Sequence, residues 1–306
     1  MFADAIELVG NYTRPIKFIM RNYKESIVIP GTATLFFVNE DGYAITCKLV
    51  AQEIYNATQI NNHYAHFKSE RQLLPNSNRR RSSLIALEKK YDLKSKKIAE
   101  MKVQFSDCVD FFSDIDFNMS NDYDIALIHF KGFKSTCYSS HAVFAKDSSL
   151  IRPGDILCRL GYPFPEFSDY IYDEAIDEIN WLTSNTSITP RFPIDGMFTR
   201  HIGDASGNIV GVELSTPGLR GQSGGPLFTS KGIVYGVQSM TNHLHLGFDM
   251  KNEKMFIDGK QETINNQPFL HVGQCVHVDI VKRFLSELNV KYHVGDSLDK
   301  AEVLNG

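Results

Sequence analysis

Three hundred and six residues suffice for one large all-β unit with an insertion, or for two similar halves, and are too few for a giant multidomain assembly. Apolar residues at 42% and charged residues at 22% supply a core and argue against a disordered chain. Thirty-two basic against thirty-six acidic residues leave a net charge of −4, which argues against nucleic acid or an anionic membrane as a partner of the whole surface.

The start, M-F-A-D-A-I-E-L-V-G, places acids where a secretory signal needs an unbroken apolar run, and no stretch has the length and hydropathy of a membrane span. The chain therefore reads as untargeted and cytoplasmic. The five cysteines, Cys47, Cys108, Cys137, Cys158 and Cys275, are scattered, with no C-x-x-C pair, and read as reduced structural thiols. No cofactor and no metal is implied.

The first informative run, Ile29 to Cys47, has β-branched and aromatic residues on either side of Asp41-Gly42 and predicts a β-hairpin. The segment from about 51 to 101 then carries Leu, Ile, Ala, Lys and Glu at helical spacing, broken near Pro75-Asn76-Ser77-Asn78, and predicts two helices as an insertion. Its cations, Arg79, Arg80, Arg81, Lys89, Lys90, Lys94, Lys96 and Lys97, could dock an acidic partner, although such a run is more often a solvated face. Short β-rich runs recur at 103–105, 125–130, 156–160, 209–214, 232–240 and 270–276, the pattern of a sandwich or barrel and not of a doubly wound parallel sheet. Asp279 to Leu288 places Ile280, Val281, Phe284, Leu285 and Leu288 on one face of a closing helix. Residues 291–306 read as a polar tail.

The sharpest string is P-G-L-R-G-Q-S-G-G-P-L-F, Pro217 to Phe228. A serine with glycines at −2, +1 and +2 can sit on a tight turn with its own amide and that of Gly221 facing one concavity, the geometry of an oxyanion hole. Ser223 is the candidate nucleophile. The string also satisfies G-x-S-x-G, but that elbow needs a helix after the serine, and Pro226-Leu227-Phe228 followed by a Ser230-Lys231-Gly232 turn predicts a hairpin.

These residues resemble the trypsin/chymotrypsin family of serine endopeptidases, especially its bacterial high-temperature-requirement branch. The resemblance covers roughly residues 26–288 without the insertion. G-Q-S-G-G-P-L resembles the nucleophile loop and N-D-Y-D-I-A-L-I, Asn121 to Ile128, the acid strand; R-P-G-D-I-L-C-R-L-G-Y-P-F resembles the strand opening the second barrel and V-H-V-D-I-V-K-R-F-L the terminal helix. It implies an all-β fold of two antiparallel six-stranded barrels within residues 1–290, the first at about 14–145 and the second at about 150–276. It also implies a cleft between the barrels, Asp124 as the triad carboxylate, and Ser239-Met240-Thr241 as the edge that takes an extended peptide. A peptide or protein substrate would be the partner.

The family's histidine is missing. In Y-A-I-T-C-K-L-V its place is taken by Leu49, which cannot accept a proton, and loss of a triad member typically costs on the order of 10⁴-fold or more in rate. His63 and His66 fall on the predicted helix, pointing away; His201, His243, His245, His271 and His277 fall on the other barrel; His129 reads as structural. The residues before the nucleophile, 215–219, contain no acid, so a small or apolar substrate side chain is expected rather than Arg or Lys. Two functions follow: an endopeptidase impaired by loss of its base, or a pseudoprotease that binds a peptide through the old cleft. An esterase with an α/β-hydrolase fold is a third, disfavoured by the missing helix.

Overall fold

The Asp41-Gly42 turn makes the expected hairpin, Gly42 taking a φ of +82° that a side chain would resist. In the computed structural model, which describes residues 2–76, 78–182, 188–296 and 302–304, the elements before the insertion are α1 (Ala3–Gly10), β1 (Thr13–Asn22), β2 (Val28–Phe37) and β3 (Tyr43–Thr46). The insertion follows as α2 (Lys48–Gln72) and α3 (Arg80–Lys90), and the chain returns as β4 (Ile98–Phe105), β5 (Asp114–Met119) and β6 (Ala126–Lys131). These six strands form one sheet, in the order β4-β1-β2-β3-β6-β5, rolled into a closed barrel.

The second half contains β7 (Val143–Ala145), β8 (Ile156–Gly161), β9 (Tyr170–Asp173), β10 (Glu178–Trp181), β11 (Phe192–Gly203), β12 (Ile209–Leu214) and β13 (Pro226–Phe228). Then come β14 (Val234–His245), β15 (Met250–Ile257), β16 (Lys260–Asn266), β17 (Phe269–His277), α4 (Val278–Glu287), β18 (Tyr292–Gly295) and β19 (Glu302–Leu304). Nine of these strands make a sheet that curls into a half-barrel, in the order β13-β8-β11-β12-β17-β14-β7-β18-β19, with β13 also pairing β14. The all-β expectation is borne out, and the pair of sheets is consistent with a chymotrypsin-like two-barrel fold. One hydrophobic core runs through both, from Phe36, Phe37 and Phe130 in the first sheet to Phe144, Phe198 and Phe228 in the second.

Beyond the six strands from β13 to β14 the second sheet is continued by β7, β18 and β19. Two expectations need correction. The insertion is shorter: its helices span 48–72 and 80–90, and Ile98 already begins β4, whose Met101 pairs with Met20 of β1. The polar tail starts later than 291, since Tyr292–Gly295 is a buried strand parallel to β7. In both, a polar residue inside the run masks strand periodicity, Glu100 and Lys102 in β4 and His293 in the strand at 292–295.

The insertion is not a loose appendage. Val50, Ile54, Ala57, Tyr64 and Phe67 line the inward face of α2, and Asn61 exchanges two hydrogen bonds with Met101 of β4, at 2.7 and 3.0 Å. Asp177, in the β9–β10 turn, accepts from Arg21, Arg71 and Tyr64 at 2.8 Å each and from Tyr172 at 3.0 Å, tying α2 to both β1 and that turn. Of the cations expected to face a partner, Lys90 pairs with Glu70 and Lys97 with Asp92. No helix among the described residues is long and apolar enough to cross a membrane. The five cysteines are free thiols, and Cys137 alone is exposed.

Candidate functional site

Ser223 sits in the turn between β12 and β13, and the glycines around it are dictated by crowding. A Cβ on Gly221 would lie 2.4 Å from Tyr162 O, one on Gly224 2.2 Å from Thr46 Oγ1, and one on Gly225 2.2 Å from Leu160 O. Gly221 and Gly224 also have φ near +89° and +86°. Strand β13 follows the serine directly, which removes the helix that a G-x-S-x-G elbow requires.

Two residues not singled out from the sequence hold this turn in place. Gln222, fully buried, accepts from Leu219 N and donates to Phe192 O, both at 3.0 Å. Thr34, fully buried in β2, receives the turn from the opposite barrel: its N–H donates to Ser223 O at 3.1 Å and its hydroxyl to Gly221 O at 2.7 Å, while accepting from Tyr162 N at 3.1 Å. The sequence signal is faint, a threonine in I-P-G-T-A-T, with nothing local to show its partners. Among the described residues, neither the Gly221 N–H nor the Ser223 N–H has an acceptor, whereas the Gln222 N–H between them donates to Leu219 O. Two unpaired donors therefore flank the serine turn, the arrangement that can hold a developing oxyanion.

Asp124 lies two residues before the start of β6. Its Oδ1 accepts from the main-chain N–H of Leu49 at 3.1 Å and its Oδ2 from the hydroxyl of Ser239 at 2.6 Å. Ser239, expected only as part of a peptide-binding edge, thus also fixes the carboxylate. Leu49 is the second residue of α2, after Lys48, and is 63% exposed although apolar. It lines one hollow with Asp124 and another with Ser223, so the structure brings Ser223, Asp124 and Leu49 to one groove.

That groove continues on both sides of the serine. On the first-barrel side a cavity of about 510 Å³ is lined by Phe18, Met20, Leu49 and Met101, with Arg220, Gly221 and Ser223 at its edge. On the second-barrel side a cavity of about 500 Å³ is lined by Arg220, Ser223, Gln238, Ser239, Met240 and Thr241, with His243 and His271. Strand β14 pairs with β13 only as far as Val237, so from Ser239 to Thr241 that side of the strand has no strand partner among the described residues.

Among the described residues no imidazole bonds Ser223. Among the described residues Ser223 Oγ makes no hydrogen bond. His63 Nε2 contacts Tyr91 O at 2.9 Å, His245 pairs with Asp249, and His129 stacks on Tyr43. His243 and His271 reach the second-barrel cavity but meet each other, Nδ1 to Nδ1 at 2.6 Å. Burial pushes the thiol of Cys47, beside Leu49, up to about 12, so it stays protonated. Away from the groove, Glu40, His141 and His293 bring a ligand atom each within 4.8 Å. The two imidazoles stack at 3.8 Å, so their in-plane lone pairs run side by side instead of converging on an ion.

No model of a known protein family matches the chain, and no curated protein matches it.

Proposed function

We propose that this chain is a serine-endopeptidase scaffold of the trypsin/chymotrypsin type whose groove binds an extended peptide and, for want of a general base, does not turn it over at an enzyme's rate. The observation that carries this reading is the placement of Leu49: its N–H is bonded to Asp124, and its side chain shares a cavity with Ser223. An imidazole on that residue would stand between carboxylate and alcohol, able to take the proton of one while held by the other. Isobutyl can do neither. The serine hydroxyl stays protonated and its nucleophilicity is that of an ordinary alcohol.

Binding needs none of this. The unpaired edge at Ser239 to Thr241 offers main-chain donors and acceptors to an added strand, and the two cavities flank the point where such a strand would pass Ser223. The amides of Gly221 and Ser223 would receive the carbonyl oxygen of the residue lying there.

The test is a pair of measurements. Calorimetric titration with peptides should show saturable binding that survives Ser223→Ala. Leu49→His should convert bound peptides to cleaved ones, with a gain on the order of 10⁴-fold over the native protein. A flat titration against a broad peptide library would remove the binding reading, and a folded Leu49→His protein without hydrolysis would remove the peptidase ancestry.

A further inference from the structure

Beneath the second-barrel cavity lies a cation with no counter-ion among the described residues. Arg159 of β8 is fully buried and makes no ion pair among the described residues. Its guanidinium donates from Nη1 to Gln238 Oε1 at 2.9 Å, and from Nη2 to Thr216 O at 3.0 Å and Thr216 Oγ1 at 2.6 Å; Nε has no partner. Every one of these acceptors is neutral. A buried charge met only by dipoles is costly, and the cost falls when an anion comes within reach of its field.

The cavity is built to transmit that field. Gln238 is both the acceptor of Arg159 and part of the cavity lining. Two glycines make the approach physically available: a Cβ on Gly273 would lie 2.2 Å from Arg159 Nη1, and one on Gly218 would lie 2.3 Å from Gln238 Nε2. Around the same cavity stand Arg220, His243 and His271, and none of its lining residues is a carboxylate. The nearby Asp124 is already engaged by Leu49 N and Ser239 Oγ. The two histidines share one hydrogen between their Nδ1 atoms, which leaves an Nε2–H donor on the ring that accepts it.

We infer that this cavity takes an acidic side chain, glutamate or aspartate, of the peptide lying across Ser223, with Arg159 acting through Gln238 as the source of positive potential and Arg220, His243 and His271 as the groups that meet the carboxylate. The inference rests on the peptide-binding reading above and specifies its substrate class. It replaces the small or apolar side chain expected from the lack of an acid at 215–219, because the deciding charge lies on β8, far from that segment in sequence.

The experiment is calorimetric titration of the native protein with six-residue peptides, acetylated and amidated, made of alanine with one central Glu, Asp, Gln, Leu or Lys. The single long side chain sets the register, and the blocked ends remove every other charge. Glu or Asp should bind about 10- to 100-fold more tightly than Gln, the margin of a charge-assisted over a neutral contact, and Lys should bind worst. Added salt should shrink the margin. His271→Asn combined with Arg220→Gln, at exposed positions, should bring the Glu-to-Gln ratio toward one, and Arg159→Met should do the same wherever it folds. Equal affinity for Glu, Gln and Leu overturns the acidic preference and leaves the peptide-binding groove standing. No binding by any of the five overturns both.

Discussion

The main-chain N–H of Leu49 donates to Asp124 Oδ1 at 3.1 Å, so the carboxylate is held at the residue whose side chain can make no use of it. Ser239 holds the other oxygen at 2.6 Å. With both carboxylate oxygens held, the proposed reading expects one substitution, Leu49→His, to suffice for peptide cleavage.

Thr34 ties the barrels together at the serine turn. Thr34→Val keeps the shape but leaves Gly221 O without its donor and Tyr162 N without its acceptor in a dry interior. A loss of about 1–3 kcal/mol in unfolding free energy is expected, measured by urea denaturation. Thr34→Ser, which retains the hydroxyl, should recover most of it. A full loss in Thr34→Ser with none in Thr34→Val would show that the methyl group, and not the hydroxyl, matters.

Asp177 is the knot between insertion and barrels. Its four donors hold its carboxyl below the ordinary range despite burial. Asp177→Ala removes one of the two carboxylates that Arg21 pairs with among the described residues and leaves Glu100 as the other, and should cost about 1–3 kcal/mol. Hydrogen exchange should then report loss of protection first in α2. A uniform loss across both sheets would contradict a local knot.

Acid should unfold the protein in a definable window. Burial pulls the His277 imidazole from 6.5 down to about 4, while the unfolded ring keeps its ordinary value. Between those two values the unfolded chain binds the additional proton, so stability present above about pH 6.5 is lost as pH falls toward 4, by roughly 3 kcal/mol from this ring. His201, Asp279 and Lys282 face it, and His201 shifts in the same direction through its own burial. Denaturation at pH 7 and pH 4.5 should show a smaller drop for His277→Asn, which can still accept the Asp279 N–H that caps α4. An unchanged drop would assign the acid sensitivity elsewhere.

The legible parts of the sequence were those where local chemistry decides local structure. Asp41-Gly42 announces its hairpin, Gly221 to Gly225 announce a turn too crowded for side chains, and the apolar face of Ile280 to Leu285 announces α4. Strand β1 is hidden in the sequence because Arg14, Lys17 and Arg21 break its apolar run. Lys17 and Arg21 are nonetheless buried, reconciled by Asp169, Glu100 and Asp177 from distant segments. The hairpin of β15 and β16 turns on Asp258-Gly259, the same signal as Asp41-Gly42, but its strands are too polar to read as such. At the groove, Ser223, Asp124 and Leu49 could be named from spacing and resemblance. Thr34, Gln222 and Arg159 could not, since their roles exist only where separate strands meet.

The most direct measurement is the modification of Ser223 by a fluorophosphonate probe, followed by mass spectrometry of the intact chain. The probe needs an activated alcohol and a site for its oxyanion, and no recognition of a peptide. The native protein is expected to remain unmodified while Leu49→His is modified on Ser223 to completion. Modification of the native protein at the variant's rate, or none in a folded Leu49→His protein, would contradict the claim that a leucine in the base's position is what separates this groove from a working one.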